Sequence, residues 1–169
     1  VRSANGAGFL FLNNYQDHAE MHDLHGLRFE VITRQESILI PRAQTLTLNQ
    51  HVSAILPFGL SLEGVRLRSA TTQLLAKLED SEAVSYFFFA PRGMVSEYVL
   101  VTESFRALHV ESGTAVESAG STVITVTPGL HTVITLENRD GRTIHLFTLT
   151  RQQAEATSKQ RLWGRERLV

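Results

Sequence analysis

The stretch that decides the fold is VSAILPFGLSLEGVRLRSATTQLLAKLEDSEAVSYFFFAP, residues 52–91. It is the most apolar region of the chain. Phe87, Phe88 and Phe89 lie in a run of seven residues, which is too short and too aromatic for a helix and predicts a strand buried on both faces. Leu60 and Leu62 alternate with polar residues, which is typical of a strand with one wet face. We therefore expect residues 52–91 to supply central strands of a β-sandwich.

Turn signals divide the rest of the chain into further short strands. GLRFEVIT, residues 26–33, alternates as one strand, and 37–40, 97–101, 105–111 and 121–127 are further strands. Asp140-Gly141 joins the strands 131–136 and 142–149 as a hairpin. The expected fold is all-β: an antiparallel β-sandwich of jelly-roll or Greek-key type.

One short C-terminal helix is expected after the last strand. Thr150 can cap it, and Gln153 completes a T-x-x-Q capping box, so the helix should run from Arg151 to about Gln160. Residues 1–169 form a single domain on this interpretation. The alternative of two tightly packed β subdomains stays open, with a seam near residues 102–107, where the chain could pass between two sheets.

Composition excludes several classes of function. The 169 residues contain no cysteine, which excludes disulfides and thiolate chemistry, and the net charge of −1 argues against partners such as nucleic acid or an anionic membrane. No apolar run approaches the ~20 residues of a transmembrane helix. Because the chain begins at Val1 and enters a strand almost at once, we expect a piece of a longer protein.

A histidine-rich segment is the first candidate site. His18, His22 and His25 lie in DHAEMHDLH, residues 17–25, and could ligate zinc or a similar ion. The segment lies between two strands and carries no clear helix signature. A polar surface loop is therefore the simpler interpretation, and we expect no cofactor.

Candidate sugar-binding residues are few. Tyr15 beside Asn14, or Trp163 in the tail, could form a small stacking platform for a sugar ring. Packing and loop structure explain them more simply. No pair of carboxylates is identifiable as a glycosidase pair: Glu97 and Glu103 are more simply solvated strand-edge residues.

Six segments carry a resemblance to a known family. They are GFLFLNNYQ (8–16), IPRAQTLTL (40–48), ILPFGLSLEGVRLRSATTQLL (55–75), YFFFAPRGMVSEYVL (86–100), TIHLFTLTRQQA (143–154) and RLWGRERLV (161–169). In this order they resemble the all-β region of bacterial members of glycoside hydrolase family 35, the β-galactosidases. The resemblance covers nearly the whole chain and rests on packing motifs.

The resemblance implies a parent enzyme that hydrolyses terminal β-galactosyl bonds with two glutamates of a (β/α)₈ barrel. No position of this chain matches the family's catalytic motifs, so no catalytic residue is assigned and the chain alone is not expected to be an enzyme. Its expected partner is that barrel of the same parent chain, with galactosides as a further ligand class, and the parent is expected to be secreted or periplasmic. Two alternatives remain open: a carbohydrate-binding module, and a metal-dependent cupin-like enzyme using the histidines.

A domain of this kind should carry a surface adapted to a neighbouring domain. We expect an exposed apolar patch rimmed with charge, because interfaces between domains of one chain are modest in area and fairly polar. Leu162, Trp163, Met21 and Leu24 are the expected contributors, since none of them lies in an obvious strand.

Overall fold

The computed structural model describes residues 2–162 and 165–169. Strands are the main secondary structure of the chain, and the predicted all-β sandwich is confirmed. In chain order the strands are β1 Arg2–Ala4, β2 Ala7–Asn13, β3 Leu24–Leu27, β4 Phe29–Ile32, β5 Ser37–Ile40, β6 Leu46–Leu48, β7 Ser53–Leu62, β8 Val65–Ala70, β9 Gln73–Glu79, β10 Ala83–Phe89, β11 Ser96–Val101, β12 Phe105–Val110, β13 Gly113–Ser118, β14 Ser121–Val126, β15 Val133–Asn138, β16 Thr143–Leu149, β17 Lys159–Leu162 and β18 Arg165–Leu168. A helix, α1, spans Arg151–Glu155, and a 3₁₀ turn spans Thr102–Ser104.

Two large sheets form the sandwich. One has seven strands in the order β1-β2-β7-β8-β11-β14-β13, and the other has five in the order β12-β15-β16-β10-β9. Adjacent strands pair antiparallel except β10 and β16, which run parallel over seven residue pairs. The main core lies between the sheets, with Leu67, Tyr98, Leu100 and Ile124 from the first sheet against Phe88, Ile134, Leu136 and Leu146 from the second. The hydroxyls of Tyr98 and Thr148 form a buried hydrogen bond at 2.7 Å.

A second core lies beside the first, under the N-terminal half of the seven-stranded sheet. Two small sheets, β3 with β6 and β4 with β5, cover β2 and the beginning of β7 there. The buried residues of this core are Leu10, Leu12, Val31, Ile38, Ile40, Leu46, Leu48, Val52, Ala54, Leu56, Phe58 and Met94. The chain therefore buries apolar surface in two clusters that share one long strand.

Strand β7 passes from one core to the other at Gly59. Ala54, Leu56 and Phe58 belong to the second core, whereas Leu62 belongs to the first. Gly59 has a φ of +65°, which L-residues with a side chain rarely adopt. A Cβ at this position would lie 2.3 Å from the carbonyl oxygen of Gly6. Glycine is thus required here both by the backbone angle and by the close approach of another strand.

The stretch 52–91 does form four consecutive strands, β7 to β10. Phe88 is completely buried, but Phe87 and Phe89 are only half-buried, so the prediction of burial on both faces was too strong. β10 has the core on one face, and on the other the ring of Phe87 stacks on Phe147 of β16 at 4.7 Å between centroids.

Two predicted elements differ from the structure, and some strands were not predicted. The segment 26–33 is divided at Arg28, because β3 pairs with β6 whereas β4 pairs with β5. The helix α1 has the predicted Thr150–Gln153 capping box but ends at Glu155, where the hydroxyl of Thr157 donates to the Gln153 carbonyl oxygen at 2.7 Å. Strand β13 was not predicted; all its side chains are exposed, so it shows no burial pattern.

The segment near residues 102–107 connects the two large sheets. The 3₁₀ turn Thr102–Ser104 leads from β11 in the seven-stranded sheet to β12 in the five-stranded sheet. The predicted change of sheet is therefore found at this point, while a division into two subdomains stays a prediction. Neither α1 nor the 3₁₀ turn, the helical segments within residues 2–162 and 165–169, is long and apolar enough to cross a membrane.

Candidate functional site

The outer face of β2 and β7 carries exposed apolar side chains. Phe11 and Ile55 are directly opposite each other in the β2–β7 ladder and are 50% and 42% exposed. Their neighbours along each strand, such as Leu10 and Leu56, point into the second core on the opposite face. A sheet face that presents large apolar groups to solvent is typical of an interaction surface.

A cleft continues this face toward the five-stranded sheet. It has a volume of about 390 Å³ and lies between the beginning of β7, the edge strand β9, the end of β10 and α1. Its lining residues are His51, Ser53, Gln73, Leu75, Phe89, Pro91, Arg151, Ala154 and Glu155. The amide of Ile55 donates to the side-chain oxygen of Gln73 at 2.7 Å, which places the exposed face directly beside the cleft.

Tyr15 extends the same surface past the end of β2. Its ring is 53% exposed and meets the ring of His51 edge-on, with 5.9 Å between centroids. His51 in turn lines the cleft together with Leu75. We call the five residues Phe11, Tyr15, His51, Ile55 and Leu75 the apolar patch.

Charge borders the apolar patch on the side of α1. Arg151 and Glu155, which both line the cleft, form an ion pair at 2.7 Å one helical turn apart. Both side chains are more than half exposed, so the pair contributes little to stability. The outer face of β2 and β7 thus combines exposed apolar side chains with a charged border, at residues that the sequence did not indicate.

Asn14 is buried and holds the backbone next to Tyr15 in place. Its side chain is buried, and its amide nitrogen donates to the carbonyl oxygens of His22, Leu48 and Asn49 at 2.8–3.1 Å. The backbone of Asn14 also pairs with Val52 and His51. Asn14 thus holds the loop after β2 against the turn before β7. Of the two predicted sugar-binding residues Asn14 and Tyr15, only Tyr15 is exposed to solvent.

The three histidines do not converge. His18 is in a turn with its side chain 94% exposed, 3.5 Å from Asp17, and His25 lies in β3 with its ring nitrogen 3.2 Å from the hydroxyl of Thr47. No group of three or more histidine and carboxylate side chains in the described part of the chain is placed to hold a metal ion. The metal site at His18, His22 and His25 stays a prediction without geometric support.

Asp23 holds the histidine-bearing loop to the turn before β7. Its carboxylate accepts from the backbone amide of Gln50 at 2.7 Å and from the side-chain amide of Asn49 at 2.9 Å. These two hydrogen bonds lower the pKa of Asp23 below its ordinary value. The loop is therefore tied to the same turn that carries His51 of the apolar patch.

The other predicted surface residues are divided. Leu24 is exposed and Met21 is half-buried, so the loop does present apolar groups. Trp163 and the side chain of Leu162 lie outside the described residues. The contribution expected of the tail therefore stays a prediction. Apolar side chains are also exposed on the β2–β7 face, where the pairing register places Phe11 opposite Ile55.

Glu97 is buried, contrary to the prediction that it is a solvated edge residue. Its two carboxylate oxygens accept from the backbone amides of Arg42 and Ala43 at 2.5 and 2.8 Å. Glu97 thus holds the turn after β5 against β11. This role is structural, and sequence reasoning missed it because the partners are more than 50 residues away in the chain.

A second cleft lies on the outer face of the five-stranded sheet. It holds about 360 Å³ between β9, β10 and the tail strand β18, and is lined by Leu78, Glu79, Asp80, Ser85, Phe87, Glu166, Arg167 and Leu168. Since β10 lies between β16 and β9, Phe147 covers one face of the Phe87 ring and the cleft meets the other. The residue opposite Phe87 on β9 is the small Ala76, so no large side chain of β9 is paired directly with this ring.

Comparison with known proteins assigns no family. No family model matches the chain, and no curated protein is significantly similar to it.

Proposed function

We propose that the chain is a non-catalytic β-sandwich domain of a glycosyl hydrolase of the β-galactosidase type, packed through the apolar patch against a catalytic (β/α)₈ barrel of the same parent protein. The observation that carries the proposal is the apolar outer face of β2 and β7 beside a cleft bordered by charge. The segment resemblance supplies the identity of the partner.

The mixed chemistry of the patch and its border agrees with contact between domains of one chain. Phe11, Ile55 and Leu75 are large but only partly exposed, and Ser53, Gln73 and the Arg151–Glu155 pair lie among them. Interfaces between domains mix apolar and polar groups in this way, because each domain must also remain folded in water. The role of the patch is to hold the barrel in place.

A hydrolysis assay tests whether catalysis belongs to the barrel and not to this chain. The chain alone should not hydrolyse an aryl β-galactoside even at high protein concentration, whereas the barrel encoded in the same gene should be active. Adding the chain should raise the melting temperature of the barrel, because a partner that binds only the folded state stabilises it. Hydrolysis by the chain alone, or a gene that encodes no such barrel, would contradict the proposal.

A carbohydrate-binding module is the second candidate, and the cleft at Phe87 favours it. A partly exposed aromatic ring in a cleft that also contains Ser85 and several carboxylates suits a sugar, whose apolar face stacks and whose hydroxyls form hydrogen bonds. Calorimetry with galactose and galactan oligosaccharides distinguishes the two candidates. Micromolar binding that Phe87→Ala abolishes and Tyr15→Ala leaves intact would favour the binding module, and millimolar or weaker binding would favour the docking domain.

A further inference from the structure

Four arginines line a further cleft, which shares no lining residue with the two clefts described above. The cleft has a volume of about 670 Å³ and lies where β8, the 3₁₀ turn Thr102–Ser104, β12 and the hairpin turns after β13 and β15 come together. The arginines are Arg66, Arg68, Arg106 and Arg139. The buried side chains of Val101 and Phe105 also line it, so its lining is partly apolar.

Three of these guanidinium groups have no carboxylate at hydrogen-bond distance in the part of the chain that the structure describes. Arg66 lies 3.8 Å from Glu36, and Arg106 lies 3.9 Å from Glu137. Arg139 donates through Nε to the backbone carbonyl oxygen of Glu103 at 2.8 Å. The remaining N–H groups of these three side chains are therefore available to a ligand.

Arg68, unlike the other three arginines, has both a carboxylate and a hydroxyl of the described chain within hydrogen-bond distance. Its Nε lies 2.8 Å from Glu36, and its Nη1 donates to Ser121 at 2.5 Å. Because Glu36 is shared with Arg66, one carboxylate faces two guanidinium groups. The side chain of Arg68 is about three-quarters buried, so it forms a preorganised part of the site.

We propose that this arginine cleft binds an oxyanion, the sulfate ester or carboxylate group of an acidic ligand. Guanidinium groups match the planar, two-oxygen edge of such anions and bind them with paired hydrogen bonds. The lining carboxylates of Glu103 and Glu117, and those of Glu36 and Glu137 beside the arginines, oppose this positive charge and so limit the affinity for an anion. The proposal is independent of the docking role.

Titration calorimetry with three trisaccharides tests the proposal and separates the two sources of the anion. The probes are trigalacturonate, a sulfated galactotriose and neutral galactotriose, at 50 mM and 500 mM NaCl. At least one acidic probe should bind at low salt and weaken at high salt, and the neutral probe should bind at least tenfold more weakly. Inorganic sulfate, added as a competitor, should displace it.

Variants show whether binding is at the arginine cleft. Arg66→Ala and Arg139→Ala should each weaken the acidic probe about tenfold, Arg139→Lys less, and Glu117→Gln should strengthen it. Arg34→Ala, which removes an exposed arginine outside the cleft, is the matched control and should have no effect. Thermal melts confirm that each variant is folded. No binding of either acidic probe, or equal weakening by Arg34→Ala and Arg66→Ala, would overturn the proposal.

Discussion

At the scale of single residues, a buried carboxylate joins two distant parts of the chain. Glu97 on β11 accepts hydrogen bonds from the consecutive amides of Arg42 and Ala43, which follow β5. Neither amide has a partner in a regular ladder at this turn. The side chain of Glu97 therefore supplies the hydrogen-bond acceptors that a neighbouring strand would otherwise provide, and the two amide dipoles compensate for the burial of the carboxylate.

The substitution Glu97→Gln should destabilise the fold. The amide nitrogen of glutamine would face a backbone N–H where a carboxylate oxygen now accepts, and an unsatisfied buried donor costs about 1–3 kcal/mol. Urea denaturation measures the loss. Glu103→Gln is the matched control, because Glu103 is exposed, and should change the free energy of unfolding by less than about 0.5 kcal/mol. Equal stability of the two variants would contradict the role given to Glu97.

Asp23 should make the attachment of its loop depend on pH. Hydrogen bonds from Gln50 and Asn49 lower the pKa of Asp23 in the folded protein. The ionised side chain therefore stabilises the attachment of the loop fully above the pKa of Asp23 in the unfolded chain, about 3.9, and this stabilisation is lost as the pH falls through the lower pKa of the folded protein. Hydrogen exchange of the Gln50 amide measures this. Protection should persist at pH 6 and fall in acid below pH 4, and Asp23→Asn should remove it at pH 6. Unchanged protection in the variant would show that the carboxylate does not hold the loop.

At the scale of elements, Gly59 lets one strand serve two cores. Phe58 of the second core and Leu62 of the first lie four residues apart on the same face of β7, and the pairing with β8 keeps one register on both sides of Gly59. The sequence shows a glycine within an apolar run, which indicates an irregular strand. It does not show that two hydrophobic cores meet there.

The substitution Gly59→Ala should cost more than a backbone angle alone explains. A positive φ costs an alanine roughly 1–2 kcal/mol, and the clash with the Gly6 carbonyl oxygen adds to this. Gly120→Ala is the matched control, since Gly120 has a φ of +71° but open space around its Cβ. We expect the Gly59 variant to have the lower melting temperature. If the two variants melt together, the close approach of Gly6 has no energetic consequence.

Most elements could be predicted from the sequence because alternation and turn residues are local signals. Ser37–Ile40 is a strand with the predicted bounds, and the capping box of Thr150 forms as expected. Strand β13 was not predicted because neither of its faces is buried, so its sequence shows no alternation of apolar and polar residues. The end of α1 was misplaced because Thr157 closes the last turn, and this contact carries no periodic signal.

At the scale of the whole molecule, the pairing of strands determines which apolar side chains lie together on the surface. The parallel pairing of β10 with β16 and the pairing of β2 with β7 join segments far apart in the sequence. Hydrophobic periodicity shows that Phe11 and Ile55 lie on strands, but not that they are neighbours. For this reason the sequence predicts exposed apolar groups at Leu162, Trp163, Met21 and Leu24, but not on the outer face of β2 and β7, where Phe11 and Ile55 are exposed.

Binding of the chain to its proposed barrel tests the central claim most directly. Isothermal titration of the catalytic barrel encoded in the same gene with the wild-type chain should give a measurable dissociation constant. Phe11→Ser and Ile55→Ser should each weaken binding at least tenfold, because each removes a large apolar side chain from the centre of the interface. Val116→Ser, which removes an equally exposed apolar group from the distant strand β13, should leave the affinity unchanged. Equal affinities for the Phe11, Ile55 and Val116 variants, or no binding by the wild-type chain, would contradict the account.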